Sequence, residues 1–137
     1  MFKDVRDFHQ KFGLLCHDTP WHLSRRKLSE RIEFLSEELN EFIEACKTQD
    51  LAEQADALVD LVYVALGTAV MLGLPWDELW ADVQRANMAK VRGVGKRGHA
   101  VDCVKPLGWR PPMTNHILAQ AGYQLELWGE ENYHDDM

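Results

Sequence analysis

Residues 25–72 read RRKLSERIEFLSEELNEFIEACKTQDLAEQADALVDLVYVALGTAVML, and this stretch decides the fold. Between 25 and 47, Leu28, Ile32, Leu35, Leu39, Phe42 and Ile43 share one arc when each residue turns by about 100°. Thr48-Gln49-Asp50 marks a turn. From 51 to 72, Leu51, Ala55, Leu58, Val62, Leu66 and Ala69 form a second apolar stripe. Gly73-Leu74-Pro75 breaks it, with Gly73 placed just beyond the helix end. Two long helices joined by so short a turn are expected to lie antiparallel, with these stripes as core.

The flanks extend the same pattern. Phe2, Val5, Phe8 and Phe12 predict a short helix over 2–13, followed by a loop, His17 to Leu23, marked by Asp18-Thr19-Pro20. Ser24 and Ser29 are both candidate N-caps for the next helix. A third long helix is expected from near Pro75, with Asp77 and Glu78 in its first turn and Lys90 and Arg92 at its end, an order that suits the helix dipole. Residues 92–115 hold Gly93, Gly95, Gly98, Pro106, Gly108, Pro111 and Pro112, and read as loop or extended chain with room for a hairpin around Val101–Lys105. A short helix is expected over 116–128, then a frayed acidic tail. No run is strong enough to build a sheet. The expected class is all-α: a domain over 1–115 with a C-terminal Gly/Pro-rich loop segment, and a C-terminal extension over 116–137.

A length of 137 residues suits one domain with its own core. Lys and Arg total 15 against 22 Asp and Glu, a net charge of −7, which argues against a nucleic-acid surface. The 3 cysteines (Cys16, Cys46, Cys103) cannot close a disulfide framework, so a reducing, cytoplasmic compartment is expected. MFKDVRDFHQKF carries charges throughout, unlike a signal peptide. Leu61 to Trp76 is nearly free of charge but too short for a membrane span, and reads as a buried helix. No membrane partner is expected.

The charges are sorted along the chain. Residues 30–60 carry ten acids and two bases, Arg31 and Lys47, whereas 90–110 carry six bases (Lys90, Arg92, Lys96, Arg97, Lys105, Arg110) and one acid, Asp102. Acidic helices beside a basic segment suit a metal–phosphate ligand, with carboxylates on the cation and cations on the phosphates. Both runs are also compatible with solvated surface. Position favours the site. Glu38 lies near the edge of its helix's apolar arc and Glu41 further round, while Glu37 and Glu44 point away. Asp60 sits within Leu58-Val59-Asp60-Leu61-Val62-Tyr63-Val64, on a face that continues into Val64 and Gly67, with Asp56 one turn earlier. Clustered carboxylates on such faces repel and are costly to desolvate, and a cation resolves both problems. Glu38, Glu41, Asp56 and Asp60 are therefore the candidate metal ligands. Oxygen ligands alone point to Mg²⁺, with Mn²⁺ able to substitute. These helices lack the His and Cys of a zinc site, and Glu131-x-x-His134 is a lone match to a di-iron motif. Gly93-Val94-Gly95-Lys96 is too short for a P-loop.

Glu37-Glu38-x-x-Glu41, then Ala55-Asp56-Ala57-Leu58-Val59-Asp60-Leu61-Val62-Tyr63-Val64-Ala65-Leu66-Gly67, then Ala86-Asn87-Met88-x-Lys90, resembles the MazG-like all-α NTP pyrophosphatase superfamily. The branch it looks most like is phosphoribosyl-ATP pyrophosphohydrolase-like and is often carried by phages. Phe8-His9-x-x-Phe12-Gly13 and Lys105-Pro106-x-Gly108-Trp109-x-Pro111-Pro112 are similar to that branch as well. The resemblance implies a helical bundle completed by dimerisation (a tetramer is the other expectation) and hydrolysis of nucleoside triphosphates between the α- and β-phosphates. By position it implies Glu38, Glu41 and Asp60 as metal ligands and Glu37 as a further ligand or a base for water. Asn87 and Lys90 match phosphate- or sugar-contacting positions. The family's Glu-x-x-Asp is not matched at Asp60, where Ala57 stands three residues before, so either Asp56 or Glu53 is its partner.

The expected chemistry is water attack on phosphorus, with Glu37 or Glu41 taking the proton. Lys90, Lys96, Arg97 and Lys105 would stabilise the leaving pyrophosphate. His9 and Trp21 are nucleobase candidates, and core packing is the competing role for each. The alternatives are a phosphoribosyl-ATP pyrophosphohydrolase and a non-catalytic helical interaction module.

Overall fold

The computed structural model describes residues 1–95 and 101–124. The elements are α1 (Phe2–Lys11), α2 (Arg25–Lys47), α3 (Leu51–Met71), α4 (Trp76–Met88), β1 (Val91–Gly93), β2 (Asp102–Val104) and α5 (Thr114–Gln120). The first four helices are those the periodicity predicts, to within a few residues at their ends. Val101–Lys105 supplies one strand rather than a hairpin of its own: β2 pairs antiparallel with β1, Arg92 opposite Cys103, so Arg92 lies in a strand and not at the end of a helix. The last helix starts and ends earlier than expected, and the acidic tail lies outside the described residues.

Ser24 caps α2, its hydroxyl accepting the Lys27 N–H at 3.1 Å, which settles the choice between the two serines. The turn between α2 and α3 is a Schellman motif. The Asp50 N–H reaches the Ala45 carbonyl and the Gln49 N–H reaches Cys46, each at 3.2 Å, with Gln49 left-handed at φ 54°. The Asp50 side chain then accepts the Glu53 N–H at 3.1 Å and caps α3. α3 ends in the same motif on Gly73, φ 64°. A Cβ there would stand 2.0 Å from the Thr19 carbonyl oxygen, so glycine is required by space as well as by conformation.

The segment between α1 and α2 explains why α3 can end inside the protein. The last carbonyls of a helix need outside donors. Here the His17 N–H donates to Val70 at 3.2 Å, His17 Nδ1 to Met71 at 2.6 Å and the Trp21 N–H to Leu72 at 2.9 Å. The loop is thereby fastened along the end of α3, and Leu23 and Ser24 are fully buried.

α3 is long and apolar enough to cross a membrane by length and composition, yet here it is the central helix, packed against both α1 and α2. The core is Val5, Leu66 and Val70, with Phe2, Cys16 and Trp76 packed against it. Two expectations about the core need correction. On α2, Ile32 is 64% exposed, and Leu39 and Ile43 also face outward. On α3 the buried face is Ala57, Val64, Leu66, Gly67, Ala69, Val70 and Met71, while Leu51, Leu58 and Val62 are exposed. The small residues Ala57, Gly67 and Ala69 let neighbouring elements approach closely, which an apolar stripe drawn by bulk overlooks.

α4 carries the C-terminal segment. Trp109 Nε1 donates to the Ala86 carbonyl at 2.6 Å. Asp82 accepts from Arg85 Nε at 2.7 Å and from the Met113 N–H at 2.6 Å, and these bonds hold its carboxyl below the usual range. Trp76 stacks on Phe2, ring centroids 6.1 Å apart, whereas Trp80 is largely exposed.

Candidate functional site

α2 and α3 descend from their shared turn in a fixed antiparallel register. Near the turn, Gln54 Nε2 donates to the Ala45 carbonyl at 3.4 Å. At the far end, Arg31 Nε donates to Thr68 Oγ1 at 3.0 Å. Between these contacts the register brings Glu38 and Glu41 of α2 to Asp60 of α3. One carboxylate oxygen from each of the three lies within 4.8 Å of the others.

This triad is electrostatically unfavourable in isolation. Glu38 is partly buried, and its Oε2 is shut off from solvent without a hydrogen-bond partner. Its carboxyl is pushed above the usual range, first by desolvation, then by the negative charges of Glu41 and Asp60, by a hydrogen bond to Glu41 and by Glu37. An orphaned, desolvated carboxylate oxygen beside two exposed carboxylates fits a hard divalent cation. Glu38, Glu41 and Asp60 are the residues that could hold one.

The other candidates fall in four places. Asp56 and Glu53 lie outside the triad and line a cavity of about 480 Å³ together with Asn40, Glu41, Glu44, Ala57 and Asp60. Glu37 is exposed. Asn87 is exposed at the end of α4, and Lys90 and Lys105 flank the Trp109 ring, their Nζ atoms 5.7 and 4.8 Å from its centroid. Neither lysine lines the acidic cavities of this chain. Lys96 and Arg97 lie outside the described residues.

The two nucleobase candidates separate. Trp21 stacks on His17 and faces an apolar cavity with Pro20, Leu72, Leu74, Leu118 and Tyr123, away from the carboxylates. His9 is buried on α1 and lines a cavity of about 310 Å³ that reaches Glu38 and Asp60. Arg31, Phe34, Tyr63 and Gly67 line it too. Arg31, one of two bases in an acidic run, belongs to no motif in the sequence; spacing alone marks it, two turns before Glu38 on the same helix face.

A helical bundle with an acidic triad on its two central helices is the architecture of the MazG-like all-α pyrophosphohydrolases, which typically use divalent metals. The family model described as phosphoribosyl-ATP pyrophosphohydrolase matches residues 5–87, and the chain belongs to that family. The match takes in most of α1, all of α2 and α3 and nearly all of α4, including every member of the triad. No curated protein matches the chain.

Proposed function

We propose that the protein is a Mg²⁺-dependent nucleoside triphosphate pyrophosphohydrolase, with Mn²⁺ as a substitute. It cleaves between the α- and β-phosphates to give NMP or dNMP and pyrophosphate, and acts as a homodimer in nucleotide-pool metabolism. The observation that carries this reading is the convergence of Glu38, Glu41 and Asp60 around an oxygen of Glu38 that has neither solvent nor a hydrogen bond.

Glu38, Glu41 and Asp60 hold the cation, and Asp56 or Glu53 adds a carboxylate from the adjoining cavity. When bound, the cation screens phosphate charge from the carboxylates and activates water. Glu41, which lines that cavity, or Glu37, one helical turn before it, takes the proton from the attacking water. Attack at the α-phosphorus breaks its bond to the bridging oxygen, and pyrophosphate leaves. Asn87, Lys90 and Lys105 are the residues for the phosphates; because neither lysine lines the acidic cavities of its own chain, a second copy of the chain brings them to the site.

A second reading, phosphoribosyl-ATP as substrate, is favoured by the family match. Pyrophosphate release from common NTPs, dNTPs and phosphoribosyl-ATP, with and without Mg²⁺, tests both. Mg²⁺-dependent release from nucleoside triphosphates is expected, and Glu38→Gln is expected to abolish it. Full activity in Glu38→Gln would remove the triad from the reaction. Release from phosphoribosyl-ATP alone would replace the first reading by the second.

A further inference from the structure

The cavity lined by Glu38 and Asp60 is also lined by two polar side chains that the proposed hydrolysis does not use, and both of these border an adjoining cavity as well. His9 Nδ1 lies 2.9 Å from the Leu15 carbonyl oxygen. A carbonyl can only accept, so Nδ1 carries the proton and Nε2 of the neutral ring is a bare acceptor. Arg31 donates through Nε to Thr68 Oγ1 at 3.0 Å and through Nη2 to the Val64 carbonyl at 2.9 Å. Both partners are neutral, and no carboxylate pairs with Arg31 among the described residues. A guanidinium has five N–H groups, so three of this one's make no hydrogen bond among the described residues, while its Cζ lies over the Phe34 ring, 5.2 Å from the centroid.

Gly67 sets these groups side by side. A Cβ at Gly67 would stand 3.0 Å from Arg31 Nη2 and 3.0 Å from His9 Nε2, so the donor and the acceptor flank one stretch of bare backbone. The walls are aromatic, formed by Phe8, Phe34 and Tyr63. Flat aromatic walls suit the face of a nucleobase, and a donor beside an acceptor suits its edge. A phosphate is the poorer occupant, because the lone pair on His9 Nε2 faces it.

Resting on the pyrophosphohydrolase reading above, we infer that Arg31 and His9 read the base of the substrate and select one with a carbonyl beside a ring N–H. Uracil, thymine, guanine and hypoxanthine have that edge. The carbonyl oxygen has two lone pairs for the free N–H groups of Arg31, and the ring N–H donates to His9 Nε2. Adenine offers a ring nitrogen with one lone pair and leaves Arg31 under-satisfied, which is costly for a half-buried cation. Arg31 is thus a specificity-determining residue, and phosphoribosyl-ATP, an adenine nucleotide, lacks the selected edge.

The test compares ITP with ATP, and dITP with dATP, which differ only in that edge. In the wild-type protein kcat/KM is expected to favour the hypoxanthine nucleotides by at least about tenfold, through KM. Arg31→Met is expected to bring the ratio to near one. The same pairs are titrated calorimetrically in parallel. Turnover with a ratio near one in the wild-type protein, or a ratio that survives Arg31→Met, overturns this inference and leaves the hydrolase standing. Should Arg31→Met fail to fold, the wild-type ratio decides alone. Tighter binding of ITP than ATP without turnover of any nucleotide supports the base site and removes the hydrolase reading. Neither turnover nor preference removes both.

Discussion

Glu38 concentrates the conflict on which the site is built. Its ionised form is disfavoured in the folded chain by desolvation and by the charges of Glu41 and Asp60. The sign of the consequence follows. A carboxyl raised above its unfolded value is least harmful while protonated, so Glu38 costs the metal-free protein nothing below the ordinary glutamate range. Its cost sets in as pH rises from there through the raised value, while the lowered carboxyl of Asp82 contributes in the opposite sense at low pH. A cation bound by the folded form alone reverses the cost of Glu38. Glu38 is therefore expected to lower the melting temperature of the metal-free protein over this window, and Mg²⁺ to restore it at neutral pH. In Glu38→Gln both effects should shrink, and activity should fall by at least about 100-fold. Thermal unfolding across pH, with and without Mg²⁺, and pyrophosphate release check these outcomes. Helical spacing and charge make Glu38 and Glu41 on α2 and Asp60 on α3 legible in the sequence, each on or near the apolar side of its helix. Asp56 shares the face of Asp60, yet lies outside the triad. Spacing along one helix does not fix how far apart side chains stand across two.

Among the elements, the helices are legible because their ends are written in local chemistry: Ser24 and Asp50 as N-caps, Gly73 after the cap of α3. Gln49 is the exception, a residue with a Cβ held left-handed where glycine is the usual choice. Its strain yields a prediction at this scale. Gln49→Gly should raise stability by about 0.5–1 kcal/mol, read as a higher denaturant midpoint with an unchanged slope. The reverse holds at the end of α3, where Gly73→Ala places a methyl against the Thr19 carbonyl and should destabilise by more than about 1 kcal/mol. Less legible was the loop from His17 to Trp21. Its hydrogen bonds to the end of α3 join backbone groups far apart in sequence, and no local pattern announces them.

Across the whole molecule, a mostly apolar surface, interrupted by Asp4 of α1, faces outward. Leu58, Val59, Val62 and Tyr63 of α3 line a shallow groove with Met1, Val5 and Leu66, and Val59 is 65% exposed. Periodicity placed several of these residues in the core. It tells which side chains share a stripe, and it is silent on whether the same chain or another copy covers that stripe. Such a surface suits a second copy of the chain. Sedimentation is expected to show an oligomer that Val62→Asp dissociates. The register of α2 against α3 has a different kind of consequence. The contacts from Ala45–Gln54 through the triad to Arg31–Thr68 all depend on the length of the Thr48–Asp50 connection. Deleting one residue there would rotate every α3 side chain by about 100° and slide it by about 1.5 Å. Natural variation in this hairpin should therefore take the form of substitutions, while insertions and deletions are purged.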